Sequence, residues 1–188
     1  MINDTHTLKG HFIVECLDKD KNVIDRFENH NLIMDAARVA MAQMTAGLNS
    51  SSQIDKFVLG TKGHVGTDYL TVKSESDGFI GSRTQLFSEE ANTYNYDILF
   101  DVPGTVNGLC NIISETDTTM PSLVSIAYTD KTVEYTFEIY EENANGTGVN
   151  VFTEAALYAG GNIFSMKCFP GKIKDNTVSL KIVWKIMF

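Results

Sequence analysis

The final segment of the chain constrains the fold most, because its side chains alternate in polarity with a period of two. Its apolar members are Val178, Leu180, Ile182, Trp184, Ile186 and Phe188, which alternate with Thr177, Ser179, Lys181 and Lys185. This alternation is typical of a strand with one buried face. Since a chain terminus usually frays unless a sheet holds it, we expect a core strand here, with Trp184 and Phe188 buried.

Shorter segments elsewhere carry the same strand signal. Residues 8–17 and 23–27 flank a polar turn at 18–22, which predicts a β-hairpin. The other strand candidates are residues 54–59, 94–102, 133–139 and 162–168. Many short strands separated by turns favour a mainly β fold, and we predict an antiparallel β-sandwich of about seven strands.

One helix interrupts the strands, near residues 32–46. Its apolar residues recur at helical spacing, and Asn31 and Asp35 are suited to its N-cap and first turn. Gly47 offers a stop. The apolar positions are Ile33, Ala36, Ala37, Ala40, Met41 and Met44. The pattern predicts a single short amphipathic helix.

Two long polar stretches separate the strand candidates, at about residues 61–81 and 114–122. The first is rich in Gly, Ser, Thr and Asp, which predicts an extended surface loop with at most a short strand near residues 70–73. Nothing marks a domain boundary or an internal repeat, so residues 1–188 are predicted to form one domain. Loops of this length are uncommon in a compact domain unless they serve binding.

Composition and charge narrow the class of protein. Apolar residues make up 43% of the chain and charged residues 21%, which is typical of a globular domain. The net charge of −9 disfavours binding to a phosphate backbone. No run approaches the roughly 18 apolar residues of a membrane-spanning helix, and residues 1–6 do not resemble a secretion signal. We therefore expect neither nucleic acid nor membrane as a partner.

The three cysteines indicate a reducing compartment. Cys16, Cys110 and Cys168 are odd in number, far apart and without metal-ligand spacing. Cys16 and Cys168 share strand parity with apolar neighbours, so both are predicted to be small buried residues. A reducing cytoplasm fits this pattern.

Metal and nucleotide motifs are incomplete or missing. Residues 18–22 match the first half of an EF-hand calcium loop, but Val23 stands where the loop needs Gly and Asn29 where it needs Glu. His6, His11, His30 and His64 show no metal-ligand spacing. The marks of serine hydrolases, dinucleotide-binding proteins and phosphate loops do not occur. We predict no catalytic, cofactor-binding or metal-binding residue, no cofactor and no enzymatic activity.

Glu154 is the one acidic residue that stands out, because it lies within the apolar run 149–158. A catalytic carboxylate needs a partner, and none is evident. A buried Glu usually accepts backbone N–H groups or pairs with a lysine, here Lys172 or Lys174. We predict the structural role.

Aromatic residues on two strand candidates allow a second functional hypothesis. Tyr94, Tyr96, Tyr135, Phe137 and Tyr140 could stack on sugars, but their parity assigns most of them to a core face.

Five segments at the two ends of the chain carry a recognisable set of motifs: 151–158 (VFTEAALY), 160–165 (GGNIFS), 180–188 (LKIVWKIMF), 8–14 (LKGHFIV) and 29–38 (NHNLIMDAAR). Together they resemble small structural proteins of tailed-bacteriophage virions, of the tail, collar or fibre-attachment type. They are similar to the family's E-x-G-L-(F/Y) segment, glycine turn, L-F-(A/S)-R segment, terminal W-x-I-x-F strand and N-x-I-x-D-x-G helix start. Ala156 stands in place of the usual Gly, Lys167 lies near the usual Arg, and the middle, residues 48–125, has no counterpart.

The resemblance implies a non-enzymatic β-domain of a virion, assembled in the host cytoplasm as part of the tail, neck or fibre attachment. Its implied partners are further copies of itself in a ring and neighbouring virion proteins. Residues 61–81, 114–122 and 1–9 are the expected contacts between copies.

Two alternatives remain open at this point. One is a carbohydrate-binding, host-recognition β-sandwich, in which residues 61–81 and exposed tyrosines would contact a host-surface glycan. The other is a phage-borne glycan hydrolase, because glycosidase carboxylates have no fixed linear signature.

Overall fold

The protein is described by a computed structural model over residues 8–47, 53–103, 107–118, 122–148 and 150–188. This part of the chain contains thirteen strands, two α-helices and a 3-10 helix at Glu75–Asp77. The helices are α1 Asp35–Thr45 and α2 Phe87–Glu90. The strands are β1 Lys9–Leu17, β2 Val23–Ile33, β3 Ile54–Gly60, β4 His64–Val65, β5 Asp68–Val72, β6 Asn95–Phe100, β7 Gly108–Leu109, β8 Ile112–Glu115, β9 Leu123–Thr129, β10 Thr132–Ile139, β11 Asn150–Ala159, β12 Asn162–Lys174 and β13 Ser179–Met187.

Eleven of these strands form one curled antiparallel sheet, in the order β7-β9-β10-β13-β1-β2-β12-β11-β3-β6-β8. The mainly β, antiparallel prediction is confirmed, but the seven-strand sandwich is wrong. The two edge strands β7 and β8 are neighbours in sequence, so the short connection at Cys110 and Asn111 draws both edges of the sheet together. Cys110 N–H donates to Val124 O, and Asp101 N–H donates to Asn111 O, each over 2.9 Å.

Apart from β9, the strands missing from the prediction were missed for two physical reasons. Strand β11 is buried on both faces, so its apolar residues run continuously and lose the period of two. Strands β4, β7 and β8 have two to four residues, too few for a periodic signal.

The interior of the curled sheet is the main core, and it joins strands that lie far apart in the strand order. Phe57 of β3 stacks on Phe137 of β10 with ring centroids 4.1 Å apart. Trp184 packs edge-on against Phe12 at 4.9 Å. Trp184 is fully buried, as predicted.

The prediction that Phe188 is buried is wrong, since 52% of its surface is exposed. Strand β13 ends at Met187, and Phe188 follows it at the rim of the sheet. Its backbone N–H still donates to Lys131 O over 2.9 Å, so the end of the chain is held by its backbone.

A second apolar layer covers the outer face of β11 and β12. Residues 61–94 run across this face as the β4–β5 hairpin, the 3-10 helix and α2, instead of forming the predicted extended loop at 61–81. The expected short strand is present as β5. The layer buries Met34, Val58, Leu86, Phe87, Ala156, Tyr158, Ile163, Met166 and Cys168.

The helix predicted near residues 32–46 is confirmed as α1, but α2 shows that the prediction of a single helix is wrong, and the predicted cap of α1 is wrong as well. Met34 occupies the N-cap, while Asn31 is a residue of β2 whose amide donates to Ser165 Oγ. The first hairpin is confirmed as β1–β2, and β2 continues beyond the predicted end to Ile33.

Cys16 and Cys168 are buried, as predicted, and all three cysteines are free. Among the helices of the described ranges, none has the length and apolar character needed to cross a membrane.

Candidate functional site

The side of β2 that faces away from β1 is an open strand edge. Along its length β2 pairs with β1, from Gly10 opposite Asn31 to Leu17 opposite Val23. On the other side it pairs with β12 only at Leu32 and Ile33. Within the described residues, 23–30 therefore have no strand on that side. We call residues 23–30 the β2 edge.

Between Asp25 and Ile33, the backbone groups that point away from β1 belong to even-numbered residues. The alternation does not extend to Ile24, because the pairing with β1 shifts between Asp25 and Val23. Met34 N–H donates to Phe164 O on β12, which lies on the side away from β1. His30 N–H donates to the side-chain oxygen Oδ1 of its neighbour Asn29 over 2.7 Å, and not to β1. Since backbone direction alternates along a strand, Arg26 and Glu28 present their N–H and C=O groups outward. Unpaired groups of this kind are a template for another strand.

Charged side chains of both signs follow the β2 edge. Arg26 pairs with Glu28 two positions away and with Glu15 of β1 at 3.1 Å. Glu28 also lies 3.0 Å from His11. The side chains of Arg26 and Glu28 remain nearly half exposed, at 48% and 44%, so they are available to a partner.

Exposed apolar residues lie around the start of the β2 edge. Val23 and Ile24 are more than half exposed, and so is Ile173 near the end of β12. A salt bridge of 2.7 Å between Asp25 and Lys172 brings these two strand ends together. Apolar side chains next to unpaired backbone are typical of contact surfaces.

The Glu154 carboxylate, by contrast, is directed into the protein and fully buried. Its Oε1 accepts the backbone N–H groups of Ser88 at 2.8 Å and Lys62 at 3.2 Å, and its Oε2 accepts that of Phe87 at 2.9 Å. The predicted role as a backbone acceptor is confirmed. The carboxylate thus fixes the start of α2 and the beginning of residues 61–94 onto β11.

The predicted alternative for Glu154, a lysine partner, is wrong. Lys172 pairs with Asp25, and the Lys174 ammonium donates to Glu141 O, Asn145 Oδ1 and Asp175 O at 2.8–2.9 Å. Burial raises the pKa of Glu154, while its hydrogen bonds from Ser88 and the backbone oppose that rise.

The backbone approaches Glu154 so closely that glycine is required beside it. A Cβ on Gly63 would stand 2.3 Å from Thr153 O, and one on Gly60 would stand 2.7 Å from Glu154 Oε1. Gly63 N–H donates to Thr153 Oγ1 over 2.9 Å. The glycines let residues 60–63 leave β3 and cross directly over β11.

A second buried polar cluster closes one end of the curled sheet. The Tyr96 hydroxyl donates to Glu115 and lies 2.6 Å from Ser122 Oγ. Asn143 Nδ2 donates to Glu115 Oε2 over 2.9 Å. Burial, followed by the Glu115 hydrogen bond, raises the pKa of Tyr96 well above its usual value. These groups satisfy one another, which is typical of a structural network.

Residues 61–94 also form a polar cleft of about 380 Å³. Its lining residues are Lys62, His64, Val65, Gly66, Lys73, Asp77, Phe87, Glu90 and Ala91. Lys73 and Arg83 both lie over the Phe87 ring, 4.0 and 3.6 Å from its centroid. His64 is buried beside Thr153 Oγ1, and burial followed by the charges of Lys62 and Lys73 lowers its pKa. Mixed charges surround this cleft, so it does not define one ligand chemistry.

The hypothetical sugar-stacking platform is mostly in the core. Tyr96, Tyr135 and Phe137 are buried. Tyr94 and Tyr140 are partly buried, and the ammonium of Lys21 lies 5.5 Å from the Tyr140 ring centroid. The assignment of most of these aromatics to a core face is confirmed.

The half calcium loop folds as a hairpin turn. Asp18 Oδ1 accepts the backbone N–H groups of Asp20 at 2.9 Å and Asn22 at 2.8 Å. The Asn22 side-chain amide also donates to Asp18, and this bond, followed by the backbone bond from Asn22, lowers the pKa of the Asp18 carboxyl. In the part of the chain that the structure describes, no three His, Cys, Asp or Glu residues are grouped so that they could hold a metal ion.

The β2 edge was not predicted from the sequence, which indicated only a hairpin strand there.

Comparison with protein-family models, with curated proteins and with solved structures gave no match.

Proposed function

We propose that this protein is a non-enzymatic structural component of a bacteriophage virion, in the tail, the neck or collar, or the fibre attachment. It works there by contact with further copies of itself and with neighbouring virion proteins. The single observation that carries the proposal is the β2 edge, where unpaired backbone lies beside exposed apolar side chains. A surface of this kind is suited to assembly and is a hazard for a protein that stays alone.

The resemblance at the two ends of the chain supports the virion part of the proposal. The segments that carry it are strands β1, β11, β12 and β13 and the start of α1. These strands lie side by side or nearly so in the sheet order, with β2 between β1 and β12. The similarity therefore belongs to one connected part of the fold, which also contains the β2 edge.

Further contacts are proposed for residues 61–81 and 114–122 and for the start of the chain. In the first of these, Tyr69 and Leu70 of β5 are exposed by 46% and 74%. Glu115 and Asp117 in the second take part in internal hydrogen bonds, with Ser122 and Tyr94 respectively. Residues 1–7 of the proposed contact 1–9, and 119–121 of the contact 114–122, lie outside the described residues. Repeated contacts around a ring would each need only modest strength.

The proposal is tested on particles of the phage that encodes this chain. Particles are purified by density gradient, and their proteins are quantified by mass spectrometry against the major capsid protein. We expect the protein at a fixed ratio that persists through a second gradient. Its absence from particles, with free protein in the lysate, would exclude a virion role.

The alternative is a carbohydrate-binding module, and one observation favours it. The half-exposed ring of Tyr69 lies 4.5 Å from His64 at the cleft of residues 61–94 and could stack on a sugar. Glycan-array binding that is lost in Tyr69→Ala, with unchanged thermal stability, would favour this alternative. An unchanged array signal or none would count against it.

A further inference from the structure

We propose that two copies of the protein pair through their β2 edges, antiparallel and about a two-fold axis at Phe27. This inference rests on the proposed function, because it names the partner of the same surface. It also fixes a register, in which Arg26 of each copy lies opposite Glu28 of the other. The two β1–β2 sheets would then continue into each other across the axis.

Backbone geometry permits this register. Arg26 and Glu28 both point their N–H and C=O groups outward, so opposing them forms a hydrogen-bonded pair on each side of the axis. The two pairs supply four central hydrogen bonds. The proposed ladder ends beyond Asp25, because the pairing with β1 shifts between Asp25 and Val23 and leaves Ile24 without a partner residue there. Phe27 lies opposite its own copy in a non-hydrogen-bonded position.

Charge selects this register over its neighbours. If one copy is shifted along the other by two residues in one direction, Arg26 lies opposite Arg26. If it is shifted by two residues in the other direction, Glu28 lies opposite Glu28. Like charges directly opposite in a sheet are destabilising, whereas opposite charges contribute favourably. Only the register centred on Phe27 joins opposite charges at both positions. The same charges that discourage random edge pairing therefore specify one partner, a second copy.

The side chains of the proposed contact are mostly exposed. Residues 23–26 and 28–30 are exposed, and only Phe27 is half-buried, with its ring 6.4 Å from that of Phe169. Asp25, at the start of the contact, is held by Lys172 of β12 over 2.7 Å. A two-fold contact can coexist with ring contacts, as in dihedral assemblies.

The first test exchanges the charges at the axis. Arg26→Glu places two carboxylates opposite each other across the interface, and Glu28→Arg places two guanidinium groups there. Each variant loses the internal Arg26–Glu28 pair. Arg26→Glu also loses the pair with Glu15, and Glu28→Arg loses the contact with His11. We expect wild-type dimers by sedimentation equilibrium, at least tenfold weaker dimerisation of each variant alone, and recovery of dimers when the two are mixed.

The mixture decides the outcome, because a heterodimer restores opposite charges at both positions. A merely local role of these residues cannot produce rescue by mixing. A monomeric wild type at concentrations up to the millimolar range would overturn the proposal. Dimerisation of both single variants with wild-type affinity would also overturn it. So would a mixture that dimerises no more strongly than either variant alone.

The second test locates the register by disulfide formation in a Cys110→Ser background, which leaves only the buried Cys16 and Cys168. Phe27→Cys and Asn29→Cys are each oxidised mildly on their own. The two Cα atoms at position 27 would lie about 4.5 Å apart across the axis, as a non-hydrogen-bonded pair, which suits a disulfide. The two Cα atoms at position 29 would lie four residues out of step, about 14 Å apart.

We expect a cross-linked dimer of Phe27→Cys and none of Asn29→Cys. Cross-linking of Asn29→Cys, or none of Phe27→Cys, would overturn the register. These outcomes are separate from the test of the proposed function. A virion protein can prove monomeric in solution and so refute only the pairing, while a dimer absent from particles refutes only the virion role.

Discussion

Trp184 of β13 donates its indole N–H to Ser165 Oγ of β12 over 3.2 Å, across the interior of the curled sheet. Ser165 Oγ donates in turn to Leu32 O over 3.0 Å and accepts from the Asn31 amide. This small polar centre lies where β2 and β12 make their only described pairing. It fixes the point beyond which the two strands diverge, and hence where the β2 edge begins.

Trp184→Ala is expected to lower the free energy of unfolding by about 3–5 kcal/mol, because it leaves a large cavity and orphans a core hydrogen bond. Phe188→Ala is the matched control. It removes a half-exposed ring and should cost at most about 1 kcal/mol. Urea denaturation measures both changes. Equal losses in the two variants would show that the core does not depend on the Trp184 contact.

Truncation after Lys181 should abolish cooperative unfolding. Strand β13 lies between β10 and β1, so its loss opens the centre of the sheet. Circular dichroism during heating is the measurement. A truncated protein that stays soluble and melts in a single sharp transition would contradict this placement of the strand.

Glu154→Gln should lower the free energy of unfolding by about 1–3 kcal/mol, because one acceptor oxygen becomes an N–H₂ group that faces backbone donors. Glu90→Gln, which removes an exposed partner of Arg83, should leave the denaturation midpoint nearly unchanged. If Glu154→Gln instead kept full stability and abolished a measurable hydrolytic activity, the structural role assigned to this carboxylate would be wrong.

Gly63→Ala should destabilise the protein by about 1–3 kcal/mol, since its Cβ would overlap the Thr153 carbonyl and force the backbone apart. Gly108→Ala is the control, because a Cβ there meets no atom within 4 Å. Thermal melting of the two variants checks the contrast. Similar melting temperatures would mean that residues 60–63 can move away from β11 without cost.

Lys174 should make stability increase with pH in alkaline solution. Burial lowers the pKa of this ammonium from 10.5 to about 8. Between these values the unfolded chain binds more protons than the folded one, so unfolding becomes less favourable as the pH rises. The free energy of unfolding of wild type minus that of Lys174→Met should become more positive from pH 7 to pH 10, because the other titrating groups are common to both proteins. A value that stays constant or becomes more negative would contradict this pKa.

Sequence periodicity is sufficient to predict a strand where one of its faces is buried and the other is in water. It predicted β1, β10 and β13, and the alternation of Val124, Ile126 and Tyr128 would also have revealed β9. It could not predict β11, because the cover on its outer face comes from residues 61–94. Packing against a segment that is distant in the sequence cannot be recognised within a short sequence window.

The candidate site was beyond local sequence reasoning for a related reason. The acceptor role of Glu154 follows from its apolar neighbours, but its donors Phe87 and Ser88 lie 67 and 66 positions away. The β2 edge is open only because β12 diverges after Met166. Divergence of two distant strands depends on the packing between them, such as that of Phe27 and Phe169, and leaves no mark in the sequence of β2 itself.

Immunogold electron microscopy of intact particles is the most direct test of the proposed virion role. Antibody raised against the recombinant protein is applied to purified virions of the phage proposed to encode it. We expect label at one fixed position on the tail, neck or fibre attachment of nearly every particle. Unlabelled particles, with antigen recovered only as free protein in the lysate, would refute the proposed role.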